Sequence, residues 1–175
     1  MSDVPTSMIA ESEPLFLELG KALWICQAFE GTLCFLLALI AQDDAQGEPA
    51  AFSAAIDLYS QKTLGQLLKR LQTRIAIPAE TEKRLMDGWD RRNSIVHRFV
   101  HENIGDIMSP KGRLIVEQKL THHKLTVKLA DMSANEILDE YLAKYGLSNE
   151  DLKENADRMW NYLNRSSSSD EYLEH

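Results

Sequence analysis

Trp89-Asp90-Arg91-Arg92-Asn93-Ser94-Ile95-Val96-His97-Arg98-Phe99-Val100-His101 is the stretch from which the chain is best read. It lies inside a helical pattern that begins at Pro78. Leu85, Trp89, Val96 and Phe99 recur at the spacing of a buried helix face, and Arg92 falls on that same face. A cation on an apolar stripe is costly unless something pairs with it. Asn93, His97 and His101 stand four apart and form a second stripe. In a regular α-helix Arg92 and His97, five apart, lie about 140° from each other, so they are expected to flank a groove without touching.

Outward from this stretch, the chain reads as helix after helix. Leu15, Leu19, Ala22, Cys26, Phe29, Leu33, Leu37 and Ile40 alternate by threes and fours, which predicts a long core helix from about Pro14 to Gln42. Met1 to Ser12 is polar and expected to fray. The segment from Ala22 to Ala41 is the most apolar, yet Gln27 and Glu30 within it favour a buried helix over a membrane span. Gly31 is a candidate for close helix approach. A loop follows to Pro49, then a weakly helical stretch to Tyr59. Thr63 to Ile75 is a clearer helix, with Leu64, Leu67, Leu68 and Leu71 inside and Lys69, Arg70 and Arg74 outside.

The motif helix is expected to reach Asn103 and break around Gly105. Ser109-Pro110 has the form of an N-cap and first helical residue. Between Leu114 and Tyr145 the residues partly alternate, but no turn residue is present to make a hairpin. A long helix to Tyr145 with Gly146 as its stop is the better account. Ser148 and Asp151 resemble a capping box ahead of a short helix carrying Leu152, Met159, Trp160 and Leu163. The predicted fold is all-α: an antiparallel four-helix bundle with an additional short C-terminal helix. It is expected to form a single domain over residues 1–172, with 173–175 a tag remnant.

Composition narrows function. The net charge of −8 argues against an extended nucleic-acid surface. Its distribution is uneven: residues 1–61 hold one base and nine acids, whereas residues 62–128 hold 14 bases and seven acids. The basic zone coincides with the motif helix and its neighbours, as either a solvated face or a phosphate-attracting patch. No signal peptide is apparent, and two cysteines eight apart in a core helix suggest a reducing, cytoplasmic compartment.

Arg92-Asn93 followed by His97 resembles the R-x4–6-H signature of the HEPN domains. Arg92-Asn-Ser-Ile-Val-His-Arg-Phe99 is similar to a run found in many bacterial members, and Thr63-Leu-Gly-Gln-Leu-Leu68 resembles the helix that precedes the motif helix there. The resemblance covers roughly Leu15 to Tyr145. It implies a HEPN-like helical bundle and, often, a metal-independent ribonuclease that acts as a toxin or phage-defence effector, with two motifs meeting across a homodimer. Arg92 and His97 are then the catalytic candidates and Asn93 their assistant. The alternative is an inactive HEPN interaction module, such as the partner of a nucleotidyltransferase; an antitoxin is another partner to expect, and a nucleotide sensor a further class.

The residues themselves fit that chemistry. An imidazole can give or take a proton near neutral pH. A guanidinium matches phosphate oxygens with its planar fork. RNA cleavage by the substrate's own 2′-hydroxyl needs those two groups and no cofactor. Glu30, in the most apolar helix, either pairs with a cation, with Arg92 the candidate, or reaches solvent at the helix edge. His101 lines the expected groove. A zinc site on His97 and His101 with His122 or His123 is the lesser reading, and no metal is expected. Trp89 and Phe99 could stack on a base but suit the core better. His123 falls on the apolar stripe of the last long helix, where a hydrogen-bonded core histidine is expected.

Overall fold

The computed structural model describes residues 6–148 and 150–151, with side chains from residue 11. Every regular element among the described residues is helical. These are α1 (Thr6–Asp44), α2 (Pro49–Tyr59), α3 (Leu64–Arg74), α4 (Ala79–Asn93), a π-helical turn (Ser94–Arg98), α5 (Phe99–Ile107) and α6 (Pro110–Ala143). The predicted short C-terminal helix and the tag remnant lie outside the described residues. The chain divides into two compact units, residues 1–135 and 136–175, with the boundary inside α6.

Within the first unit, α1 is the axis. Phe29, Leu33, Leu36 and Leu37 are fully buried along it. By length and composition α1 could cross a membrane, but this inward face is packed within the chain. The helix starts earlier than periodicity predicts, and Pro14 sits inside it rather than in the first turn. The cause is tertiary: Arg113 of α6 pairs with Glu11 at 2.6 Å, and Ser12 is buried. These contacts hold a polar segment that would fray alone.

Three side-chain pairs join α1 to α6: Glu11 with Arg113, Glu18 with Lys124, and Thr32 with Asp131. Partner numbers rise together, so α1 and α6 run parallel. The pairs Asn103–Lys119 and Phe99–His123 fix α5 antiparallel to α6. Gln72–Glu82 does the same for α3 and α4. On α3 the expected inward set, Leu64, Leu67, Leu68 and Leu71, is buried. Thr63 and Gln66 close its N-terminus as a reciprocal capping box.

Three expectations, two of them in the motif segment, are corrected. Helix continues through Gly105 to Ile107, because Asn103 and Ile107 are buried on its inner face and anchor the extra turn. Ile95, 3% exposed, faces the core in place of Val96, 37% exposed. A count at a constant angle per residue loses phase where one turn holds an extra residue. Gly31 has open space around it; the close approach is at Gly88, where an added Cβ would lie 2.2 Å from Ala130 Cβ.

In the second unit, Ser148 and Asp151 exchange the expected cap bonds. The Ser148 N–H donates to Asp151 Oδ2 at 2.8 Å, and the Asp151 N–H donates to Ser148 Oγ at 3.2 Å. Lys144 Nζ lies 4.4 Å from the Tyr141 ring centroid.

Candidate functional site

The π-helical turn builds the site. The Phe99 N–H reaches back five residues to the Ser94 carbonyl, so the turn is one residue wider than an α-turn. Ile95 and Val96 stand at its centre. In the widened turn, residues five apart become neighbours. Arg92 Nη1 and His97 Nε2 therefore lie 3.2 Å apart, which overturns the expectation that the two only flank a groove.

Glu30 fixes the guanidinium from the other side. Arg92 Nε donates to Glu30 Oε1 at 2.5 Å, joining α1 to α4, as the apolar setting of both residues requires. Arg92 Nη1 also donates to Asn93 Oδ1 at 3.1 Å. The Arg92 side chain is 17% exposed and that of Glu30 30%, so the pair is partly desolvated. A guanidinium has no lone pair to offer. A hydrogen bond between the two therefore needs His97 Nε2 as the acceptor.

His97 is exposed. It lines an open depression of about 410 Å³ with His101, Val96, Val100 and Ile104. Arg92, Asn93, His97 and Glu30 thus form one hydrogen-bonded cluster, and His101 shares the depression at its edge. Trp89 does not join them. Its indole packs on Gly65 of α3 and lines a separate hollow with Gln66 and Lys69.

The other histidine of interest departs from expectation. His123 packs edge-on against Phe99, with ring centroids 5.7 Å apart, and its Nδ1 is buried with no hydrogen-bond partner among the described residues. Burial, reinforced by the Arg91 charge, lowers its pKa. Among the described residues no group of three or more His, Cys, Asp or Glu side chains could hold a metal ion. Burial pushes the Cys26 thiol up to about 11, and Cys34 is shifted the same way. Both are free thiols.

Sequence reasoning had no sign of the π turn. It also passed over Asp131, a half-buried carboxyl whose pKa burial raises against the hydrogen bond from Thr32.

No protein-family model, no curated protein and no solved structure matches this chain.

Proposed function

We propose that this chain is a HEPN-type, metal-independent endoribonuclease whose helices make the helical bundle of that class. It would act in the cytoplasm as a homodimer, as a toxin or phage-defence effector. The observation that carries this reading is the 3.2 Å approach of Arg92 to the exposed His97, with Glu30 holding the guanidinium. A phosphodiester bound there would take the guanidinium Nη1 donor from His97 and free the Nε2 lone pair. That lone pair could then accept the proton of a ribose 2′-hydroxyl as its oxygen attacks the adjacent phosphorus. The bond to the 5′-oxygen breaks, and the leaving oxygen needs a proton from a second acid. The Arg92 cluster holds a single imidazole, His97, and a second copy would bring the other, which is why a two-fold dimer belongs to the proposal. Products would carry 2′,3′-cyclic phosphate and 5′-hydroxyl ends.

The test is expression and cleavage. Wild-type protein should be toxic and should cut RNA in the presence of a chelator, and His97→Ala should remove both effects while remaining folded. Intact RNA after incubation with folded wild-type protein, or toxicity that persists in His97→Ala, would sink the reading.

One observation favours a second reading, the non-catalytic HEPN module. Arg92 Nε and Nη1 are both engaged by side chains of the chain itself. A structural tie of that kind needs no substrate. Under it, an antitoxin or nucleotidyltransferase partner should co-purify, and Arg92→Ala should disturb assembly instead of cleavage.

A further inference from the structure

Beside the Glu30–Arg92 pair, a second feature runs along α2 and α3. A hollow of about 200 Å³ is lined by Glu30, Tyr59 and Lys62, and a second of about 320 Å³ by Tyr59, Lys62, Gln66 and Arg70. The two share Tyr59, Lys62 and Leu67, so they form one continuous track that begins at the carboxylate holding Arg92.

The track carries two cations within an acidic protein, and like Lys69, Lys83, Lys111 and Lys128 neither is paired with a carboxylate among the described residues. Most basic side chains of the first unit sit within 4.0 Å of a carboxylate, as Arg74 does with Asp44 and Arg113 with Glu11. Lys62 and Arg70 have no such partner among the described residues, and both are exposed. The lining contains one carboxylate, Glu30, and Arg92 already binds it.

Gln66 and Arg70 stand one turn apart on α3, roughly 6 Å along its axis, and Lys62 lies on the connection just before the Thr63 N-cap. Gln66 is held in place by the capping box: its Oε1 accepts from the Thr63 N–H at 2.9 Å, which leaves its amide Nε2 hydrogens as donors toward the track. The floor is apolar and accessible at Leu58, 52% exposed, with the Tyr59 ring beside it. Two cations and an amide lining a hollow with an apolar floor suit a backbone of phosphates with bases laid against the floor.

We propose that Lys62, Gln66 and Arg70 form a phosphate-binding track that holds single-stranded RNA alongside the Arg92–His97 cluster. The identity of the strand as RNA rests on the nuclease reading; binding at the track is separable from cleavage.

The test uses the full chain and a fluorescent single-stranded RNA with 2′-O-methyl groups, which cannot be cut. Lys62→Glu/Arg70→Glu is compared with Lys83→Glu/Lys128→Glu, which makes the same charge change at two exposed lysines away from the track. Lys62→Ala/Arg70→Ala serves as a milder variant should the reversal disturb folding. The track variants should weaken binding about tenfold or more and reduce the slope of log affinity against log salt by about 1.4, while the control pair changes affinity by less than about threefold. Equal loss in the track and control pairs would overturn the proposal, because the effect would then be net charge alone. Tighter binding of an oligoglutamate peptide than of RNA would overturn it in favour of an acidic protein partner. Unmodified RNA separates the two readings. Track-dependent binding without cleavage keeps the track and discards the nuclease, and cleavage with wild-type binding by the track variants does the reverse.

Discussion

Arg92 and Glu30 meet across 62 positions of sequence, with Nε donating to Oε1 at 2.5 Å. The pair joins the most apolar helix to the motif helix and leaves Arg92 Nη1 aimed at His97. Removing the carboxylate leaves a partly buried guanidinium without its main acceptor. Glu30→Ala should lower stability by about 1–3 kcal/mol, and Glu30→Gln, which keeps an acceptor, by less than about 1 kcal/mol. Urea unfolding of the two variants at pH 7 checks this. Equal losses would mean that packing of the side-chain stem, and not the ion pair, is what matters.

The π-helical turn predicts an uneven tolerance of deletions. Deleting Val96 should close Ser94–Arg98 into an ordinary α-turn and leave the flanking helices in phase, with Arg92 and His97 then four apart and still adjacent. The expected loss is no more than about 2 kcal/mol. Deleting Met86, about as exposed as Val96 but within regular α4, rotates one side of that helix by about 100° against its packing and should abolish folding. Thermal melts followed by circular dichroism separate the two; similar melts would contradict a relaxed one-residue widening.

Gly88 is required by its neighbour. A Cβ there would overlap Ala130 Cβ, so Gly88→Ala should destabilise by about 2–3 kcal/mol despite the better helix propensity of alanine. Ala130→Gly makes room, and the double variant should recover at least about 1 kcal/mol relative to the sum of the single changes. A strictly additive pair would show that α4 and α6 do not touch at this point.

His123 sets a pH dependence. Its pKa is lowered in the fold by burial, so the folded chain prefers the neutral ring. As pH falls below about 6.5, the unfolded chain takes up a proton that the folded chain resists, and stability declines until the folded value is reached. His123→Leu should remove that part of the slope and so raise stability at pH 5.5 more than at pH 8, while loss of the orphan Nδ1 adds a similar gain at both. Denaturant titrations at the two pH values are the check; an equal gain at both would assign the whole effect to packing.

Much of this was legible in periodicity. The inward leucines of α3, the long final helix, the all-α class and the candidate pairing of Glu30 with Arg92 follow from spacing and the cost of buried charge. What escaped has a common cause. The early start of α1 depends on Arg113 gripping Glu11 from far along the chain. The continuation through Gly105 depends on the burial of Asn103 and Ile107, and local propensity does not register such gains. The direct Arg92–His97 contact depends on a turn of non-standard width, whereas every spacing estimate assumes a constant pitch. The misplacement of Val96 has the same source.

The parallel run of α1 and α6 has a consequence for synthesis. Pairs such as Glu11–Arg113 and Thr32–Asp131 join residues 102 and 99 positions apart. Emerging from the ribosome at about 5–20 residues per second, the first helix must wait several seconds for the strut that completes its cover. During that interval Phe29, Leu33 and their neighbours lack part of their final shelter. The newborn chain is therefore most exposed to chaperone capture and to aggregation before its last long helix has been made.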